Sequence, residues 1–335
     1  MKKLYLFTAI TLFISMLLMP LAAVRGQRAG EDGETPPVTR PPSGKDPGVK
    51  VLLKSTGEVV NVSTRDYLWG VVAGEMLASF EEEALKAQAV AAHTFALWRQ
   101  RQYKMDNPPE LAGADISDDP NVDQRFLSKE TAKSQWGEVY YIKYAQKIED
   151  AVASVQDKLL LYNGDIILSV YHDTSSGRTE SSQIMWGEMY PYLTPVESIG
   201  DLLSKQYLST KDYAPDEFIE QTKALGLTLS GDPSAFVQKA PERSPSGTVT
   251  AYTLGGQVFS GEKIRAAFGL RSANFDLEYA EGKLTFTVRG FGHGVGMSQS
   301  GAQYMALQGS KFDEILSWYY PGTVLGYGTP QGAGN

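Results

Sequence analysis

The stretch that most constrains the fold is residues 82–102, where Leu85, Ala89, Ala92 and Ala96 recur at helical spacing. Small side chains along a helix let other backbones approach closely, so this helix belongs at the centre, with neighbours on more than one side. A second helical pattern lies just before it. Thr64 is its candidate N-cap, and Leu68, Val71, Val72 and Met76 follow on one face. Glu75 shares that face. A carboxyl among apolar neighbours is either paired for structural reasons or chemically active. Burial with few partners would raise its pKa, and a carboxyl protonated near neutral pH is what a general acid must be.

Further on, apolar runs at 159–162 and 166–171 flank Asn163-Gly164, a strong two-residue hairpin signal. Another hairpin is expected around Gly255-Gly256, followed by a short helix opened by Ser260 and ending at Phe268. Leu284, Phe286 and Val288 alternate with Thr285, Thr287 and Arg289, the pattern of a half-buried strand. That strand runs into FGHGVGMSQSGA and a helix over 298–307. Residues 105–135 are polar and helix-poor, and 200–245 read as a mixed surface insertion with one helix over 215–225. There is no internal repeat and no regular strand-helix alternation. The expected class is therefore α+β, mixed helices and antiparallel hairpins around a central cleft.

The ends of the chain read differently. Lys2 and Lys3 precede 21 uncharged, mostly apolar residues, 4–24, enough to cross a bilayer core of about 30 Å. A cleaved signal and an uncleaved anchor are both open: Ala22 and Ala23 permit cleavage, whereas Leu21 spoils the small-x-small pattern. The anchor is the expectation, with the lysines cytoplasmic and the rest of the chain outside the cell membrane, or secreted if the segment is cut. Residues 25–50, rich in Pro, Gly and charge, read as a linker, 51–327 as the globular region and 328–335 as a flexible tail. The absence of Cys excludes disulfides and thiolate chemistry, and a net charge of -8 without a basic stripe argues against a nucleic-acid partner.

Two more clusters are rich in reactive groups. One is the polar turn at 171–180, with His172, Ser175, Ser176, Gly177 and Thr179. The other is the loop at 290–301, with Gly292, His293, Gly294, Gly296, Ser298 and Gln299. Its glycines look superficially like a phosphate loop but lack the Gly-Lys-Ser/Thr ending, and they permit close backbone approach instead. His293 is placed to donate to a ligand or to brace the loop. His93, His172 and His293 would suffice in number for zinc but share no ligand spacing, so neither a metal nor a cofactor is expected.

Taken together, the blocks YLWGVVAGEM, EALKAQAVAAHTFAL, YHDTSSGRTESSQIMWG followed by PYL, VFSGEKIRAAFGLRSANF and GFGHGVGMSQSGAQYMALQGSKFDEILSWYYPGT resemble the SpoIID/LytB family of stage II sporulation proteins. The resemblance implies a membrane-anchored lytic transglycosylase that cuts stem-peptide-free peptidoglycan strands between N-acetylmuramic acid and N-acetylglucosamine during engulfment. It places the catalytic acid on Glu75 and gives as partners a membrane-anchored cell-wall amidase and a third engulfment membrane protein. The family usually has an arginine where this chain has His93, so any role of that arginine is either lost here or passed to the imidazole. Cysteines that help some members bind zinc are replaced by Asp173, Thr174, Ser175 and Ser176, and no metal is carried over.

The chemistry suits a single carboxyl. A glycoside hydrolase ordinarily needs two flanking the bond. In a lytic transglycosylase the muramic acid's own 6-hydroxyl replaces water, so one glutamate can serve as acid and then as base. The turn and the glycine loop would then wall a glycan groove. A second function, from the LytB side of the resemblance, is a non-catalytic glycan-binding module that stimulates an amidase. A three-histidine metallohydrolase ranks last.

Overall fold

The computed structural model describes residues 46–328 apart from Asn107 and Lys239. The apolar N-terminal run, the linker up to residue 45 and the tail beyond 328 lie outside these residues. Among the described residues no helix is long and apolar enough to cross a membrane. The described residues include a few before Val51, and these contact the rest of the protein. The Asp46 carboxylate accepts hydrogen bonds from the Thr64 amide at 2.9 Å and the Thr64 hydroxyl at 2.7 Å.

Strands β1 (Val49–Leu53) and β2 (Glu58–Val62) form an antiparallel pair, and β3 (Ile116–Ser117) adds to β1 in parallel. Helix α1 (Thr64–Glu75) is capped one residue earlier than expected, because it is Ser63 whose hydroxyl accepts from the Asp66 amide. Tyr67 through Ala73 are all buried. Helix α2 (Glu82–Asp106) is the expected small-residue helix, four residues longer at its C-terminal end. It packs against α1, against α3 (Lys129–Val155) and against later elements, as a helix with so many alanines can. The 27-residue α3 is absent from the sequence expectation. It is broken at Gly137, with φ 76°, and exposes Val139, Tyr140 and Ile142, so its first half carries no buried stripe to read.

Strands β4 (Lys158–Tyr162) and β5 (Asp165–Ile166) make the Asn163-Gly164 hairpin, with φ of 52° and 85° at the two turn residues. The expected strand over 166–171 is shorter than read. After Ile166 the chain leaves the hairpin, and β6 (Tyr171–His172) pairs in parallel elsewhere. Helix α4 (Ser182–Trp186) follows.

A second region has its own core. Strands β7 (Leu208–Tyr213), β11 (Phe275–Ala280) and β12 (Lys283–Arg289) form one antiparallel sheet, and β8 (Glu242–Arg243), β9 (Val249–Leu254) and β10 (Gln257–Phe259) another. Helices α5 (Pro215–Thr222), continued by a 3₁₀ turn to Leu225, and α6 (Gly261–Phe268) close it over Tyr213, Phe218, Tyr252, Phe268, Phe275 and Phe286. The stretch expected as a surface insertion thus contributes Tyr213, Phe218, Leu227, Leu229 and Phe236 to a core.

From β12 the chain returns to the first region through the glycine loop to β13 (Met297–Ser298), which pairs with β6. Helices α7 (Gln299–Leu307) and α8 (Phe312–Tyr319) pack on α2, and β14 (Val324–Tyr327) completes the sheet on β4. The first core joins α1, α2, parts of α3 and β4, and Val295, Met297, Ile315, Leu316, Tyr319 and Tyr320 from the end of the chain. The fold is α+β, as expected.

Candidate active site

Glu75 is the last residue of α1, and two glycines decide what meets it. A Cβ at Gly70 would lie 2.3 Å from the Phe126 ring, and one at Gly74 2.9 Å from the Arg125 carbonyl oxygen. Without side chains there, residues 124–127 cross the helix in direct contact. The Leu127 amide donates to the Gly70 carbonyl at 3.0 Å, and the Arg125 amide donates to Glu75 Oε1 at 2.5 Å. The carboxyl is thus held between its own helix and a segment 50 residues away.

Burial is the main influence on Glu75 and raises its pKa from 4.5 to about 7, against the opposing Arg125 amide bond and guanidinium charge. Its place at a helix C-terminus disfavours the anion further. Near neutral pH both the protonated and the ionised forms are populated.

Two open cavities, of about 730 and 740 Å³, share Gly74, Glu75, Arg125, Asp173 and Gln299 as lining residues. On one side of Glu75 the walls are Leu77, Phe80, Trp136, Leu203, Tyr304 and Leu307, with Lys205. On the other they are Trp98, Arg99, Trp186, Phe291, His172 and His293. The carboxyl thus lines two neighbouring cavities, the arms of a candidate groove, one of mixed aliphatic and aromatic walls and the other aromatic and imidazole-bearing. Asp173 is a second acid within this groove. Burial raises its pKa, opposed by a hydrogen bond from the Thr174 hydroxyl at 2.6 Å and the charge of Arg271.

The two imidazoles differ in what they can offer. His293 Nδ1 accepts from the Val295 amide at 3.1 Å, and the ring also bonds to the main chain of Tyr171, so it is held by the loop on one side and by β6 on the other. His172 Nδ1 donates to the Val295 carbonyl at 3.1 Å, which leaves Nε2 a bare acceptor with no partner in a buried position. Burial, joined by nearby positive charge, lowers the pKa values to about 3 for His172 and about 4 for His293, so both rings are neutral at pH 7. The His172 ring lines the cavity while its Nε2 stays buried without a partner, which makes it a candidate acceptor for a ligand. Of the two residues, it is His172 that has capacity to spare.

The other residues singled out in the sequence mostly build the walls from behind. Ser175, Ser176 and Gly294 line a separate pocket of about 20 Å³ facing the second core. The Ser176 hydroxyl donates to the Ser246 carbonyl at 2.8 Å, and the Ser246 hydroxyl in turn donates to the Thr179 carbonyl at 2.7 Å. The Gly177 amide donates to the Ser175 hydroxyl at 3.1 Å. Gly296 leaves room for the Val170 carbonyl, which a Cβ would meet at 2.0 Å. The Ser298 hydroxyl caps α7 and donates to Asp201 at 2.7 Å, and the other Asp201 oxygen accepts from the Ser175 amide at 2.8 Å. Asp201, absent from the sequence reading, therefore ties the turn to the glycine loop. Gly292 and Gln299 line the groove, and the Gln299 amide reaches Gln88 at 3.3 Å.

His93 lines neither arm. It is buried in α2, bonds to the main chain of Lys158, and burial lowers its pKa to about 4. Among the described residues no three His, Cys, Asp or Glu side chains converge on one point, so the three-histidine site has no ligand set. Sequence reasoning missed Arg125, Trp98, Trp186 and Phe291 in the groove. Trp186 and Phe291, both inside resembling blocks, carried a signal that could have flagged them, whereas Arg125 and Trp98 lie outside every such block.

A carboxyl with a raised pKa on a helix end, lining two cavities walled by aromatic and hydrogen-bonding groups, is the arrangement of a candidate acid/base site. The family model for the stage II sporulation protein matches residues 53–162, which include Glu75 and Arg125. The chain is 36% identical over 324 residues to stage II sporulation protein D of Bacillus subtilis (strain 168), covering 94% of this chain and 92% of that protein. Its counterpart in Bacillus amyloliquefaciens is 35% identical over 325 residues, with the same coverage. The amidase enhancer of Bacillus subtilis (strain 168) is 28% identical over 309 residues, covering 77% of this chain and 40% of that protein. The chain belongs to the stage II sporulation protein D family.

Proposed function

We propose that this protein acts in sporulation as a peptidoglycan lytic transglycosylase, cutting stem-peptide-free glycan strands between N-acetylmuramic acid and N-acetylglucosamine. The observation that carries the reading is Glu75, whose pKa of about 7 lies between the two open arms of one groove. The strand lies along both arms, sugar faces stacking on Trp98, Trp186 or Trp136 and a hydroxyl donating to His172 Nε2. Protonated Glu75 gives its proton to the leaving glycosidic oxygen. The resulting carboxylate then takes the proton of the muramic acid 6-hydroxyl as that oxygen closes on C1, leaving a 1,6-anhydro end.

Asp173 lines the same cavities and would be the second carboxyl that hydrolysis needs, so the product distinguishes the two reactions. Mass spectrometry of purified protein with peptide-free glycan is expected to show anhydro-muramyl ends. Reducing muramic ends would mean hydrolysis. Uncut strands together with faster amidase action would mean the second reading, a glycan-binding enhancer, which the likeness to the amidase enhancer favours. By the family resemblance, the cell-wall amidase and a further engulfment protein are partners at the outer face of the membrane.

A further inference from the structure

We propose that Arg125 is the residue by which the groove recognises a sugar bearing a free carboxylate, the lactyl acid of a muramic acid that has lost its stem peptide. This rests on the glycan-strand reading above and adds to it the group that would select peptide-free strands. Arg125 is exposed and lines both arms of the groove beside Glu75. Among the described residues its guanidinium enters no ion pair or side-chain hydrogen bond, and the charge it acts on is that of Glu75. When Glu75 carries the proton that cleavage requires, the Arg125 charge is left uncompensated.

The neighbouring arginines are already engaged. Arg99 is bound to Asp123 at 2.7 Å and to the Val122 carbonyl at 2.9 Å, and Arg265 pairs with Glu262 at 3.3 Å. Arg125 thus offers a rigid two-pronged donor that matches a carboxylate, where a lactyl group condensed to a peptide presents an uncharged amide. The wider charge makes local recognition necessary. The net charge of -8 disfavours an acidic strand in general, so cations lining the groove, Arg125 beside Glu75 and Lys205 further along one arm, are what would attract it. The hydrogen bond to Glu75 comes from the Arg125 main chain, so the side chain can be exchanged without removing that bond.

The test is binding, measured on the full chain carrying Glu75→Gln so that no strand is cut. The probes are peptide-free glycan and the same glycan with its lactyl acids converted to neutral methyl amides. Adding Arg125→Gln is expected to weaken binding of the acidic strand about tenfold, as losing a charge-assisted hydrogen bond does, and to leave the neutral strand unchanged. Arg125→Lys, which keeps the charge but not the two-pronged geometry, should restore part of the preference. Equal weakening for both strands, or no change for either, overturns the role of Arg125 while leaving the groove in place. If no variant binds either strand, the glycan reading itself falls with it.

Discussion

The two cores solve the same packing problem with different side chains. In the first, α2 alone contributes six buried alanines, and two glycines of α1 let the segment 124–127 cross that helix closely enough to place Arg125 on Glu75. In the second, Tyr213, Phe218, Phe268, Phe275 and Phe286 form a cluster of rings, with Phe218 and Phe268 centroids 4.7 Å apart and Phe268 and Phe286 4.9 Å apart. Backbones that nearly touch can hold an acid and a main-chain donor in fixed register. Bulky rings fill volume and hold sheets apart. On the proposed reading, the contrast places chemistry in the first core and gives the second a supporting task, bracing the turn and the glycine loop from behind.

The strongest way to break this division is Phe268→Ala. Removing a fully buried ring should destabilise the second core by about 3–5 kcal/mol, seen in hydrogen exchange of β11 and β12. The Glu75 titration, followed by carboxyl-resolved NMR, should stay near 7. A moved titration would show that the acid depends on the ring cluster and that the division is false.

Glu75→Gln should do the reverse, lowering cleavage on the order of a hundredfold or more while leaving the second core untouched. Its effect on stability has a definite sign. The folded carboxyl holds its proton up to about pH 7 and the unfolded one only to about 4.5, so the wild-type protein loses stability as pH rises through that window. Glutamine does not titrate. The variant should therefore gain on the wild type in thermal melts between pH 4.5 and 7 and keep the gain above it. An unfolded variant would instead mark Glu75 as a structural residue.

The smallest expected effect is at the seam. Ser176→Ala removes the hydroxyl donated to Ser246 and should cost about 0.5–1.5 kcal/mol, with cleavage little changed. Cleavage falling far more than stability would move the serine turn from support into the groove itself.

Much of the architecture was legible because its causes are local. The alanine spacing of α2, the Asn163-Gly164 turn, the Ser260 cap and the alternation of β12 depend on residues within a few positions of each other. Glu75 stood out for the same reason, as a carboxyl on an apolar helix face. Helix α3 was missed because its first half exposes its apolar side chains, and the stretch around Tyr213 and Phe218 was misjudged because aromatic residues among charges resemble surface until a sheet covers them.

The sequence by itself determined where the acid sits on its helix, which segments turn back on themselves and which family the motifs resemble. Only the tertiary structure decided that Arg125 lies beside Glu75, that His172 rather than His293 keeps a free acceptor, and that Asp201 fastens the turn to the loop. Caps and turns are set by neighbours along the chain. A pKa, a tautomer and an unpaired charge are set by whatever the fold brings close, here across 26 to 123 residues of sequence.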